Sequence, residues 1–476
     1  MRLRSFLPIV LCATALGACT ASAQEENPYY STKQPYSPRQ DYAEYSPAPN
    51  GFQQIYTTTV NRHGSRGLSS FKYDDLAAQM LRSAEESGDL TDLGHDLIAQ
   101  VAAMTKVNQE LSGGPGQESG YGNLTTLGRE ELRGIGQRNA ERNAEFFATL
   151  NDDPAARLSF TSSGEDRATD SGWNFGSGLL DTAPTLREHT DYDSTAQHVD
   201  IAANTALLYA HKDKSLPSYE RYQEWKKSDT LEEKIEHAYT QPQAQEAARG
   251  LLSHIFQPSF IDSLEAGELT FTGSEDESKE VTGLVEAALP FYNLYLSAPA
   301  LSEETSTPAE GWIFHRYIDD STGPTLAYLL DVEDYYQKGP AIEGQTVAYD
   351  NYEPLLEDML ARVEERAAGG DNAADFRFGH AETIIPLAAL LRLPGSEHGT
   401  PANEVMDYEN SDWRGEAVSP MAANIQWDAF QNQSGEVVVR MLYNERATPF
   451  HEGCTPMEPQ SAFYRLEELQ GCLPLE

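Results

Sequence analysis

Residues 60–68 read VNRHGSRGL, so that Arg62, His63 and Arg66 follow FQQIYTTTV, a run rich in β-branched and aromatic residues. That run predicts a strand over 52–60. In open α/β sheets ligands bind beyond the carboxyl ends of strands, which is where these side chains would stand. An arginine fork matches phosphate oxygens and stays charged. A histidine among such cations has its imidazolium form disfavoured, so it stays neutral to lower pH and keeps a nucleophilic nitrogen. The set suits attack on a phosphate monoester with transfer of the phosphoryl group to the histidine. A surface R-H-G-x-R without a role is the alternative that three residues alone leave open.

Such a nucleophile needs a group to protonate the leaving alkoxide. Phe378-Gly379-His380-Ala381-Glu382 is the best candidate, because a short strand leads to His380 and a helix begins near Glu382. His380 would point from the strand end, and a helix N-terminus favours an anion there. Glu382 could reach the same pocket as general acid. On spacing alone it is equally a first-turn acid that complements the helix dipole. Arg167, in FTSSGEDRATDSG, follows a second strand signal and could join the cluster. Its alternative is an ordinary surface arginine in a loop.

The elements that must hold these groups are legible in outline. GREELRGIGQRNAERNAEFFATL, from Gly128 to Leu150, reads as a helix with Leu132, Ile135, Phe146 and Leu150 on its buried face. ARLSFTSS reads as a strand and GWNFGSGLL as the start of a helix. Strand signals return at ADFRFGH, NIQWDAF and EVVVRMLY. Between about 181 and 375 long helical stretches dominate, such as PSYERYQEWKKSDTLEEKIEHAY and NYEPLLEDMLARVEERAAGG. The expected organisation is an α/β domain from both ends of the chain, 51–180 and 376–476, with a helical domain of 181–375 inserted. Residues 24–50, rich in Pro and Tyr, read by composition as a flexible arm.

The bulk numbers set limits. The chain has 476 residues, 75 acids against 34 bases and a formal charge of −41. That argues against a nucleic-acid partner, which demands a basic footprint. An anionic substrate would require the few bases to be concentrated locally. Residues 1–23 resemble a signal segment: MRLR is basic, and SFLPIVLCATALGA is apolar but short for a membrane span. Leu16-Gly17-Ala18-Cys19 resembles a lipoprotein box, with Cys19 as the lipidated residue; Ala21-Ser22-Ala23 offers simple cleavage instead. The lipid-anchored exit is favoured, and either exit exports the protein to a periplasmic or cell-surface place. Beyond the signal only Cys454 and Cys472 remain, and in an oxidising compartment they are expected to pair. Neither H-E-x-x-H nor a dense cluster of Asp, His and Cys at ligand spacing is present.

The combination RHGSR after a strand, Arg167 after TSS, and HAE after RFG resembles the histidine acid phosphatases, the branch that includes phytases. His380-Ala381-Glu382, where many members carry His-Asp, is similar to the multiple inositol polyphosphate phosphatase group. So are YYSTKQPY, LTTLGREELRGIGQR, YLLDVEDYYQKGP, FGHAETIIPL and MLYNERATPF, spread in order over nearly the whole mature chain. The resemblance implies a large α/β domain, with a central mixed sheet and flanking helices, and an inserted, mostly α-helical cap domain. It makes His63 the nucleophile, Glu382 the proton donor, and Arg62, Arg66, Arg167 and His380 ligands of the transferring phosphate. Lys338 would touch another substrate phosphate, and no metal or other cofactor is implied. Part of the arm, around Thr32 to Tyr36, would pack on the fold. The implied substrates are phytate and lower inositol phosphates, and an acidic protein would still oppose their long-range approach. A broad acid phosphatase for sugar phosphates or phosphoglycerates is the nearest alternative. A catalytically weak inositol-phosphate-binding surface protein is another, although it could dispense with His63 and Glu382. A mutase would be shorter, cytosolic and without the HAE motif. One departure stands out: the family's motif continues after the second Arg with an apolar or aromatic residue and Pro, where this chain has Gly67 and Leu68.

Overall fold

The structure, a computed structural model, describes residues 29–275, 280–304, 307–309 and 311–474. The expected signal segment, with Cys19 and the alternative cleavage site, lies outside the described residues. Eight strands form the main sheet: β1 (Phe52–Arg62), β2 (Arg157–Ser162), β3 (Ala202–Ala203), β4 (Asn372–Gly379), β5 (Asn424–Asn432), β6 (Val437–Tyr443), β7 (Arg446–Ala447) and β8 (Phe463–Arg465). Their order is β7-β6-β5-β1-β4-β2-β3, with β8 also on β6. β1, β4, β2 and β3 run parallel, whereas β5 and β6 are antiparallel additions, so the sheet is mixed. A central parallel strand usually reads as a continuous apolar run. β1 instead carries Thr57, Thr58 and Thr59 through the core, all fully buried. Two of these hydroxyls find internal acceptors: Thr57 donates to Asp428 at 2.9 Å and Thr58 to the Asp375 carbonyl at 2.9 Å. Buried polar groups persist where such partners exist.

Helices α1 (Tyr73–Ser87), α2 (Asp92–Glu110), α3 (Thr126–Arg142) and α4 (Asp166–Thr182) precede the helical middle, whose main members are α5 (Pro242–Ile255), α6 (Leu284–Ser297), α7 (Gly323–Lys338) and α8 (Glu353–Ala367); α9 (Ala381–Leu390) follows β4. α3 and α4 cover the sheet through Leu132, Ile135, Phe175 and Leu179 against Phe160, Phe376 and Phe378. α1 and α2 pack instead on α5 and α6, sharing a core that includes Met80, Leu97, Met104, Leu251 and Phe291. The helical body thus draws on chain from 73–110 as well as from the middle. Relative to the expected boundaries, β3 brings a piece of 181–375 into the sheet, and β4 starts at Asn372, before 376.

Two element expectations are corrected. The helix expected over 128–150 stops at Arg142, and a separate turn of helix covers Ala144–Thr149. Asn143 makes the break: its Nδ2 donates to the Asn139 carbonyl at 3.0 Å, and Gln54 donates to its Oδ1 at 2.7 Å. Such side-chain bonds compete with the helical ladder. The helix expected to start at GWNF begins at Asp166, which places Arg167 in its first turn and not in a loop.

The arm is packed over more of its length than Thr32 to Tyr36. The Tyr36 hydroxyl donates to Glu445 at 2.7 Å, and the Tyr45 hydroxyl donates to the Glu445 carbonyl at 2.5 Å. Cys454 and Cys472 are joined by a disulfide that closes the C-terminal loop, with Cα atoms 5.2 Å apart. Among the described residues no helix is long and apolar enough to cross a membrane.

Candidate active site

The strand ends converge on His63. Arg62 closes β1 opposite Gly379 of β4, and the His63 backbone is held on both sides. Its N–H donates to the Gly379 carbonyl at 3.0 Å, and its carbonyl accepts from Ala422 N–H at 3.0 Å. The following loop is pinned by buried Glu131 of α3, which accepts from Ser65 N–H at 2.7 Å and from the Ser65 hydroxyl at 2.9 Å. Gly64 and Gly128 approach so closely that a Cβ on either would strike the other segment's backbone, so both must be glycine. The departure at 67–68 has a local cause. A side chain at Gly67 would collide with Asn108, and the Leu68 N–H donates to Asn108 Oδ1 at 2.7 Å, a bond proline cannot make. Asn108 stiffens the loop in the way that the family's proline would.

The tautomer of His63 follows from its partner. Nδ1 lies 2.9 Å from the Gly64 carbonyl oxygen, which only accepts, so Nδ1 carries the proton and Nε2 keeps its lone pair. Burial, then Arg167, Arg66 and Arg62, hold the imidazole well below its usual range, so it is neutral in mild acid. Arg62 spends Nη1 on the carbonyls of Thr32 and Ser419, each at 2.5 Å, and Arg66 spends Nη1 on its neighbour Gly67 at 2.7 Å. Neither guanidinium has an ion pair with a carboxylate among the described residues, and both Nε atoms, with that of Arg167, are buried without a partner. Burial draws Arg62 down to about 10, and burial with Arg167 and Arg62 draws Arg66 down to about 9; both remain charged. Arg167 reaches over from α4 to donate to His380 Nδ1 at 3.3 Å. His380 Nε2 then carries the proton and donates to the Ser163 hydroxyl at 2.8 Å. The rings of His63 and His380 lie 5.5 Å apart. Arg167, Arg66 and Arg62 are thus the cationic neighbours of the His63 ring and form a nest of positive charge beside it.

Across from it stand Glu382, in the first turn of α9, and Lys338, at the end of α7. Lys338 Nζ lies 2.6 Å from Asp334 Oδ1 and 3.6 Å from Glu382 Oε1. Lys338 reaches the site, but its charge is engaged by two carboxylates. Burial works to push the Glu382 carboxyl up; Lys338 is the foremost group that outweighs it, and the carboxyl is held well below its usual range. Sequence reasoning missed several supports. Asp334 stands one helical turn before Lys338, a spacing that signals an ion pair. Glu131 carried no local signal. Neither did Tyr209, stacked on His380 at 3.9 Å, nor His211, stacked on Tyr222 at 3.7 Å. Among the described residues no group of three His, Cys, Asp or Glu is placed to hold a metal ion.

Comparisons with known proteins agree with this geometry. Residues 56–444 match the model of the histidine phosphatase superfamily (branch 2). A Bifidobacterium longum multiple inositol polyphosphate phosphatase, solved in complex with phosphate, is 34% identical, with a TM-score of 0.87 over 94% of this chain and 97% of that chain. The same enzyme in complex with inositol hexasulfate superposes with a TM-score of 0.86 at the same identity and coverage. Multiple inositol polyphosphate phosphatase 1 of Gallus gallus is 23% identical over 489 residues, 99% of this chain and 95% of that protein. A phytase from D. castellii shares the fold, with a TM-score of 0.61 at 14% identity. The chain belongs to the histidine phosphatase superfamily, branch 2, and within it resembles the multiple inositol polyphosphate phosphatases.

Proposed function

We propose that this protein is a phosphomonoesterase that hydrolyses phytate and lower inositol polyphosphates through a phosphohistidine on His63. The observation that carries the reading is the Nε2 of His63 beside the guanidinium groups of Arg62 and Arg66, which among the described residues have no carboxylate partner, whereas Arg167 shares its charge with Glu165 at 3.2 Å. Buried cations of that kind await an anion. In a chain with 75 acids and 34 bases, their gathering at one strand end selects a strongly anionic substrate. Arg62, Arg66 and Arg167 hold the transferring phosphate, and His380 joins them by taking its proton on Nδ1, the nitrogen that accepts from Arg167 in the free site. Nε2 attacks phosphorus, the bond to the leaving oxygen breaks, and the Glu382 carboxyl gives that oxygen its proton. In the second half-reaction water attacks phosphorus, the P–N bond breaks, and the Glu382 carboxylate takes the water proton. Glu382 is ionised before substrate arrives. Incoming phosphates place negative charge beside it and compete for Lys338, and both effects raise its affinity for a proton.

The test is phosphate release from phytate at mildly acidic pH in EDTA, for the wild type and His63→Ala. Release by the wild type that disappears in the variant is the expected result. A wild type that cleaves an aryl phosphate but not phytate would overturn the substrate, and activity surviving in His63→Ala would overturn the nucleophile. The reading also places the mature protein outside the cytoplasm, lipidated at Cys19. The Cys454–Cys472 pairing supports an oxidising compartment. Labelling of expressing cells with a radioactive fatty acid, lost in Cys19→Ser, checks the anchor.

A further inference from the structure

The N-terminal arm carries a cation that the mechanism above leaves unused. Ser31–Lys33 form a single turn of 3-10 helix laid against the site. The turn is clamped from several sides. The Ser31 hydroxyl donates to Asp331 at 2.5 Å, Thr32 Oγ1 donates to Asp334 Oδ2 at 3.2 Å, and the Thr32 carbonyl accepts from Arg62. Gly415 approaches so closely that a Cβ there would meet Ser31 Oγ and Thr32 N at 2.8 Å. Ser31 is held at φ 48°, the left-handed region that a non-glycine residue adopts only when its surroundings impose it. Strain kept in place by this many contacts marks a segment whose exact course matters.

That course brings Lys33 to the Arg62 side of the pocket. It is half-buried, and among the described residues its ammonium has no ion pair or hydrogen bond. Burial, then Arg66 and Arg62, hold the Lys33 ammonium well below its usual range against the opposing pull of Asp334 and Glu382, so an incoming phosphate is the partner that would restore its charge. Its neighbour Thr32 joins Arg62 of the nest to Asp334, which pairs with Lys338 beside Glu382, so the turn that carries Lys33 bridges the phosphate nest and the proton donor. That is the side where the leaving group must lie, because Glu382 protonates the leaving oxygen. Lys338, by contrast, is already neutralised by Asp334 and Glu382.

We propose that Lys33 binds a phosphate of the substrate next to the one transferred, so that the N-terminal arm forms part of the substrate site and favours polyphosphorylated substrates over monophosphates. The proposal rests on the inositol polyphosphate reading above. Its test compares the wild type, Lys33→Met and Lys33→Arg on phytate and on 4-nitrophenyl phosphate, which has no second phosphate. In Lys33→Met, kcat/KM should fall about tenfold more on phytate than on the aryl ester, mainly through KM, since a charge-assisted contact is worth a factor of that order. Lys33→Arg should recover most of the loss. Equal losses on both substrates, or none on phytate, would overturn the assignment; the aryl ester also reports whether the variant is folded. A wild type that does not turn over phytate would overturn the substrate reading and this proposal with it. A wild type active on phytate with an unaffected Lys33→Met would overturn this proposal alone.

Discussion

Two sets of arginines meet one sheet and differ in what neutralises them. At the middle of the sheet, Arg142 and Arg440 close on Asp428 at 3.2 and 2.8 Å, and Arg377 meets Asp358 at 2.5 Å. Burial opposes the charge of Arg377, yet Asp375, Tyr56 and Asp358 raise its affinity for the proton. At the strand ends, Arg62 and Arg66 have backbone carbonyls only, and burial lowers theirs. The first set is complete in the folded chain and holds strands together. The second is left short of negative charge, and a bound phosphate completes it. The difference separates architecture from function more sharply than burial does, since Arg62 is buried as fully as Arg377.

The comparison breaks most visibly if the central set is made to resemble the terminal one. Asp428→Asn keeps the shape and removes the shared carboxylate, leaving Arg142 and Arg440 buried and uncompensated. Denaturant unfolding should show a loss of about 3–5 kcal/mol. Because Asp428 is remote from the phosphate nest, kcat/KM of the folded protein should stay within about threefold of the wild type. An unchanged stability would mean that the ion pairs are ornamental.

The reverse change removes a cation from the terminal set. Arg66→Met should lower kcat/KM by about 10²–10³-fold, the usual effect of losing one preorganised donor to transition-state charge. The melting temperature of the ligand-free protein should stay level or rise, because a half-buried charge without a carboxylate partner has been deleted. A fall of several degrees would assign Arg66 to the architecture.

How much of this contrast was legible in the sequence depends on whether the signal is local. Arg62, His63 and Arg66 follow a strand-like run, and His380 and Glu382 follow another, so their convergence could be argued from strand ends alone. Arg167 could be named, although its helix starts earlier than GWNF suggested, because Glu165-Asp166 supplies the acidic opening. The partners that decide which charge is spent come from far along the chain. Asp428 meets Arg142 across 286 residues, and Glu131 meets Ser65 across 66. The packing of α1 and α2 on the helical body was equally hidden, since an amphipathic face does not say which apolar surface it meets. A two-residue strand such as β3 has no periodicity to read.

A binding measurement sharpens the contrast further. Inorganic phosphate should stabilise the wild type by about 2.7 kcal/mol at a hundredfold excess over its Kd. Asp428→Asn should gain nearly the same increment from its lower starting point, and Arg66→Met should lose most of it at the same phosphate concentration. Equal increments in all proteins would place the anion elsewhere.

The smallest effect concerns the corner where the two kinds of charge meet. Glu382 must be protonated to act as donor, so kcat falls as pH rises through its titration in the substrate complex. Lys338 is the foremost group holding that carboxyl low, against the upward push of burial. Lys338→Met should therefore move the descending limb of the kcat profile to higher pH. At neutral pH the rate, relative to the variant's own maximum, should rise by about threefold. Stability should follow the same sign. A carboxyl whose folded affinity for protons is depressed contributes stability above its unfolded pKa and loses it as pH falls. The variant should accordingly lose less stability between neutral and acidic pH than the wild type does. A limb that stays in place would show that the donor is set by some other group, and a limb that moves to lower pH would remove Glu382 from the role, because no carboxyl becomes more acidic when its nearest cation is taken away.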